Sequence, residues 1–154
     1  MSSSVMFWVG LAVLLFWAVG AYNRLVRQRS QGLLAFAVLD HLFIRFITMA
    51  KEKGSDSGAL AAAADQFLAS LKVARIQPLN GPTTNALKTA YETLCLCWQQ
   101  VPDTLPSQWD QLAVQLDMAR SDFNQSVLTY NQAIGQFPAV VLARVFGFRP
   151  AQLL

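Results

Sequence analysis

The sequence is poor in the residues from which most active centres are built. Its 154 residues include one histidine, His41, and two cysteines, Cys95 and Cys97, and only 14% are charged. Two cysteines separated by one residue on a helix point about 200° apart, so they neither close a disulfide nor chelate one ion. They read as small buried or half-buried hydrophobes in a reducing compartment. His41 follows Asp40, but no G-x-S-x-G turn offers it a nucleophile, and a polar-face or partly buried helix position is the expectation. Glycine-rich phosphate loops and zinc-ligand spacings are missing. Asp103, Asp110, Asp117 and Asp122 are scattered in the manner of a solvated face. No catalytic, cofactor-binding or metal-binding residue is assigned, and an enzyme is not expected.

Charge is missing altogether from residues 5–22, "VMFWVGLAVLLFWAVGAY". As a helix this stretch is about 27 Å long, close to the hydrocarbon thickness of a bilayer. A cleavable signal peptide is the competing reading, but "MSSS" carries no Lys or Arg and the apolar run is longer than a usual signal core, so a retained anchor is expected. Arg24, Arg27 and Arg29 follow the span directly and nothing basic precedes it. The positive-inside rule therefore sets residues 1–4 outside and the remainder in the cytoplasm, as a single-pass protein of the inner (cytoplasmic) membrane. Trp8 and Trp17 suit interface depth, and Tyr22 the inner boundary. The net charge of +3 equals that arginine cluster, since the other nine basic residues balance nine acidic ones. A neutral body with basic residues concentrated beside a membrane suits anionic headgroups, not nucleic acid.

Proline and glycine punctuate the rest. The first helix is expected to run unbroken to about Lys53, and "GSDSG" at 54–58 to form a turn. Ser57 is a candidate cap for a second helix with an apolar stripe of Leu60, Ala64, Phe67, Leu71 and Ala74. "IQPLNGP" ends it, and Thr83 or Thr84 opens a third helix with Leu87, Tyr91, Leu94 and Trp98 on one side, ending near "VPDTLP". Ser107 with Asp110 resembles a capping box before a fourth helix from about Gln108 to Gln136. The fold class is thus all-α: an antiparallel four-helix bundle over residues 23–137, whose first helix continues from the transmembrane span, plus a short apolar C-terminal helix or tail at 138–154. Helices two and three are short, so the long first and fourth helices should project beyond them.

In "FNQSVLTYNQAIGQFP", residues 123–138, Phe123, Tyr130 and Phe137 recur every seven residues. That spacing makes them knobs of one core seam, with Leu112, Leu116, Ala119, Ser126 and Ala133. Asn124 and Asn131 sit one position later, at the seam's edge, where a hydrogen bond to a neighbouring helix fixes register. Pro138 ends the seam as a corner. The following segment holds Val140, Val141, Arg144, Val145, Phe146, Phe148 and Arg149. It either lies in the headgroup layer, with arginines reaching phosphates, or covers the membrane-proximal end of the core, and ten residues do not easily do both.

Residues 116–150 resemble the C-terminal signature of the LemA family: Ala119 and Arg120, then Phe123 and Asn124, Tyr130 and Asn131, Phe137 and Pro138, Gly147 and Phe148. Upstream, the apolar span followed by Tyr22, Asn23 and Arg24 is similar to the family's opening, and "VPDTLPSQWDQL" to a segment in which Val101 replaces a tyrosine. The chain departs from the family in its apolar first helix and in Ala113 and Val114, which stand where an acidic residue is usual. The resemblance implies a membrane-anchored cytoplasmic bundle and little chemistry.

Leu33, Phe36, Leu42, Phe43, Phe46 and Ile47 spread around more than one face of helix one, more than a single bundle seam uses. The expectation is a non-enzymatic scaffold or accessory subunit with an unidentified membrane or cytoplasmic protein partner, or self-association. The alternative is a membrane-organising protein whose C-terminal segment binds lipid. Membrane lipids are partners in both.

Overall fold

The computed structural model describes residues 2–54, 58–101 and 107–154. Ser57 and Asp103 lie outside these, as does the side chain of Ser107. Five helices follow in order: α1 (Ser2–Lys53), α2 (Gly58–Ile76), α3 (Gly81–Gln99), α4 (Ser107–Gly135) and α5 (Ala139–Phe146). The fold is all-α among the described residues.

Helix α1 runs 52 residues without a break because nothing in it stops a helix: it has no proline, and its glycines are isolated. Ion pairs fix α2 antiparallel to it. Lys51 Nζ meets Asp65 Oδ1 at 2.6 Å, and Arg75 donates from Nε and Nη2 to both oxygens of Asp40 at 2.7 and 3.0 Å. The Arg75 guanidinium is thereby held above its usual pKa, first by its hydrogen bond to Asp40. Asp40 is thus engaged by Arg75, while the neighbouring His41 is exposed.

Helix α3 starts earlier than expected, at Gly81, with Asn80 rather than Thr83 or Thr84 as N-cap. Pro82 is tolerated because the first turn has no intrahelical partner for its missing N–H. Helix α4 returns antiparallel to α1, pairing Phe36 with Phe123 at 6.1 Å and Phe46 with Trp109 at 4.8 Å between ring centroids.

The core lies where α1 meets all three partners. Phe43, Phe46, Phe67, Tyr91, Trp98 and Trp109 form one aromatic network, with Phe43 and Phe67 edge to face at 4.9 Å and Trp98 against Trp109 at 4.5 Å. Such pairs add about 0.5–1.5 kcal/mol each to plain area burial. The expected stripes of α2 and α3 are buried throughout. On α4 the seam takes Val127 in place of Ser126, which stays half-buried.

Two sequence expectations need correction. Phe36, Leu42, Phe43, Phe46 and Ile47 are all buried, because α1 is central and packs on α2 and α4 at once. The apolar surplus of helix one is therefore mostly core, and of its large apolar residues beyond the span Val26, Leu33, Leu34 and Val38 stay exposed. Phe137, expected as the third knob of the seam, is 72% exposed. Helix α4 ends at Gly135, so its seven-residue period does not extend to position 137.

Phe43→Ala should therefore lower the stability of the bundle by about 3–5 kcal/mol, and Phe137→Ala by less than about 1 kcal/mol. Urea unfolding of the full chain in detergent, followed by helix ellipticity, measures both.

Candidate membrane-proximal site

Unequal helix lengths create this site. The turn between α2 and α3 reaches only to Gly32, where a Cβ would meet Leu79 at 3.5 Å. Helices α1 and α4 continue past it towards the apolar span, leaving a shelf on the pair. Helix α5 and residues 147–154 occupy that shelf. A groove of about 640 Å³ marks the seam between the α2–α3 turn and the last segment, lined among others by Arg29, Leu33, Tyr130, Phe148 and Arg149.

Helix α5 begins after Pro138 and ends at Gly147, whose φ of 70° lies in the left-handed region. The Phe148 N–H donates to the Ala143 carbonyl at 2.8 Å, closing a Schellman turn that favours glycine at that position. Ala139 and Ala143 face the bundle, whereas Val141, Val145 and Phe146 are exposed and Val140 is partly buried. One short helix thus packs on the bundle and also offers an apolar face outward. Val141 and Val145 lie opposite Ala139 and Ala143 on α5, while Phe146, seven residues after Ala139, shares the alanine side and packs on Tyr22, and Leu142 is partly buried against the core.

Beyond the turn the chain runs back along α4, and the asparagines show their use. Asn131 donates from Nδ2 to the Ala151 carbonyl and accepts the Ala151 N–H at Oδ1, both at 2.8 Å. Asn124 does the same for Leu154, again at 2.8 Å in each direction. The sequence reading gave both residues a bond to a neighbouring helix; their partner is instead the backbone of the last segment. Seven helical residues rise about 10.5 Å. Three residues cover about 9–10 Å only when nearly extended, so the tail is extended and antiparallel to α4. Ala151 and Leu154 are both buried while Gln152 and Leu153 are exposed, a period of three that matches polyproline II, not a pleated strand.

Aromatic contacts tie this unit to α1. Trp17 meets Phe137 edge to face at 5.5 Å, and Tyr22 meets Phe146 at 5.0 Å and Phe148 at 6.2 Å. The Arg29 guanidinium lies 5.8 Å from the Phe148 ring centroid. Arg24, Arg27, Arg29, Arg144 and Arg149 are all exposed. Of the seam aromatics, Phe123 and Tyr130 are buried at 0% and 3% exposure, and burial raises the Tyr130 hydroxyl above its ordinary pKa, keeping it neutral.

Farther along the bundle, Ala119 is buried and Arg120 stacks 4.9 Å from the Tyr91 ring centroid. Cys95 and Cys97 are free and half-buried, and burial raises the Cys95 thiol above its usual pKa, so it is not an activated thiolate.

Residues Ala151 and Leu154 and the Gly147 turn were not assigned roles from sequence. Their signal was present: Pro150 disfavours helix at Arg149, and an Asn spacing of two helical turns fits two residues of an extended chain.

The fold and this site define a helical bundle with one N-terminal helix long and apolar enough to cross a membrane, its most apolar 18-residue window having mean hydropathy 2.1 and no buried residue. Residues 84–154 match the model of the LemA family, a stretch that takes in most of α3 and all of α4, α5 and the last segment, with Asn124 and Asn131 inside it. Neither a curated protein nor a solved structure matches the chain.

Replacing Asn131 by leucine, close in size but without amide groups, should cost about 2 kcal/mol through two lost hydrogen bonds. Hydrogen exchange should show the Ala151 amide losing protection while amides in α2 and α3 keep theirs.

Proposed function

We propose that the protein is a non-enzymatic, membrane-anchored scaffold or accessory subunit, with its N-terminus outside and its bundle at the cytoplasmic face of the inner membrane. One observation carries this reading: a single unbroken helix, α1, is at once the apolar span and the central element of the bundle core. A bundle built on its own anchor holds a fixed height and tilt at the membrane, which suits presentation of a surface to a partner. The exposed arginines after the span support the orientation. On α1 the exposed Leu34 and Val38, one turn apart, offer a small apolar strip for a membrane protein or a second copy of the chain.

A second reading, lipid organisation at the inner interface, is favoured by α5. Its Phe146 lies against Tyr22 at the end of the apolar span, Val141 and Val145 are exposed on the same short helix, and Arg144 is able to reach phosphates from it. The two readings are compatible, since a bundle seated on the bilayer by α5 still leaves α1 free to bind.

A photo-crosslinking residue at Leu34 or Val38 in living cells should give adducts with a membrane protein or with the chain itself. A strict monomer after solubilisation, with no adduct and no co-purifying protein, removes the scaffold reading. For the lipid reading, a fluorophore at position 145 should be quenched by spin-labelled lipid at shallow depth, and no quenching removes it.

A further inference from the structure

Helix α5 has little of its own to fix its rotation. Eight residues are too few to form a stable isolated helix, and the side it turns to the core is two buried alanines with the partly buried Leu142. Its position is set from its far end. The Gly147 turn reverses the chain, and four residues later Asn131 takes both polar groups of Ala151, with Asn124 taking both of Leu154. These contacts address backbone and ignore side chains, so they specify register and not sequence. A slip of one residue along the tail moves each peptide group by about 3 Å and breaks both pairs together, because both asparagines are fixed on one helix. With Ala151 held, Gly147 is held, and with it Phe146 against Tyr22 and Phe148 beneath Arg29.

We infer that Asn124 and Asn131 are positioning residues that clamp the tail backbone, hold Phe146 against Tyr22, and so present the Val141 and Val145 face of α5 to the phospholipid interface at the depth of Tyr22. The inference rests on the lipid reading of α5 above. The occupant is argued from continuity: Tyr22 ends the apolar span, and Phe146 touches it. Arginines 24, 27 and 144 are exposed around the same boundary. The seven-residue spacing of the aromatic-asparagine pairs then has two uses on adjacent helix positions, since Phe123 and Tyr130 fill the core while Asn124 and Asn131 hold the tail.

The test uses the full chain, with Cys95 and Cys97 replaced by alanine, in vesicles of phosphatidylcholine and phosphatidylglycerol. An environment-sensitive fluorophore sits on V145C, at an exposed position that leaves the Phe146–Tyr22 contact in place, and the vesicles carry a lipid spin-labelled near the headgroup. Loss of the four hydrogen bonds shifts the docked–released balance by about tenfold or more, so Asn124→Leu with Asn131→Leu should remove about half or more of the parent's quenching. Ala151→Pro leaves both asparagines and deletes only the N–H that Asn131 accepts. It should reproduce the loss, while Leu153→Ala, at an exposed tail position, keeps the parent's value. Helix ellipticity should stay at the parent's level in all of them. Parental quenching in both clamp variants overturns the inference. If the parent itself is not quenched, the lipid surface is overturned, and the clamp is read separately from bismaleimide crosslinking between Y22C and F146C. A yield that falls in the clamp variants keeps the asparagines as positioning residues for α5, and an unchanged yield overturns that as well.

Discussion

A backbone laid against a helix needs partners for its amides, and α4 has none to spare. Helix α4 already spends its own N–H and C=O groups on intrahelical bonds, so a segment packed along it gains no ladder like that of a sheet. Side chains must supply both a donor and an acceptor at each buried position, and a primary amide does this in one group. Asn131 and Asn124 provide that for Ala151 and Leu154. The last segment, the turn at Gly147 and the placement of α5 all depend on this arrangement. An aspartate would lack the donor and a leucine both groups, which gives asparagine a physical reason at both positions.

The shelf that receives this segment comes from a mismatch in helix length. Helices α2 and α3 have 19 residues each, α4 has 29 and α1 has 52. A hairpin of two short helices covers only the distal part of the α1–α4 pair, leaving Leu25, Ala133 and Tyr130 to be covered by something else. Helix α5 and the tail do so with very little sequence: Ala139, Ala143, Ala151 and Leu154 are the residues they bury. Small residues bring the backbone close, Phe146 packs on Tyr22, and Val141 and Val145 are left on the outer side.

The helices were readable because their signals are local. Apolar periodicity placed α2, α3 and α4 to within a few residues, and the charge-free run followed by three arginines marked the span. The site was readable only in part. Phe123 and Tyr130 followed from their period, but Phe137 did not, because a helix period holds only to the end of the helix and α4 stops at Gly135. The asparagines were recognised as edge residues, yet their partner was misjudged, since a sequence does not show that the chain will double back on itself. Helix one looked too apolar for one seam because the seam count assumed one neighbouring face, whereas Phe43 and Phe46 sit among α2, α3 and α4 aromatics together.

The same geometry explains how a short segment serves two surfaces. A helix has two sides, and α5 divides them by residue size: alanines at 139 and 143 are one helical turn apart, and valines at 141 and 145 repeat that spacing on the other side. The bundle side of α5 is Ala139, Ala143 and the partly buried Leu142, and the tail clamp and the aromatic contacts of Tyr22 add to what holds the segment. A segment held in this way and apolar on its free side is suited to meet a second apolar phase. In the lipid reading proposed above that phase is the bilayer beside the apolar span, and the clamp on α4 and the outer side of α5 would then act as parts of one lever with Gly147 as its elbow.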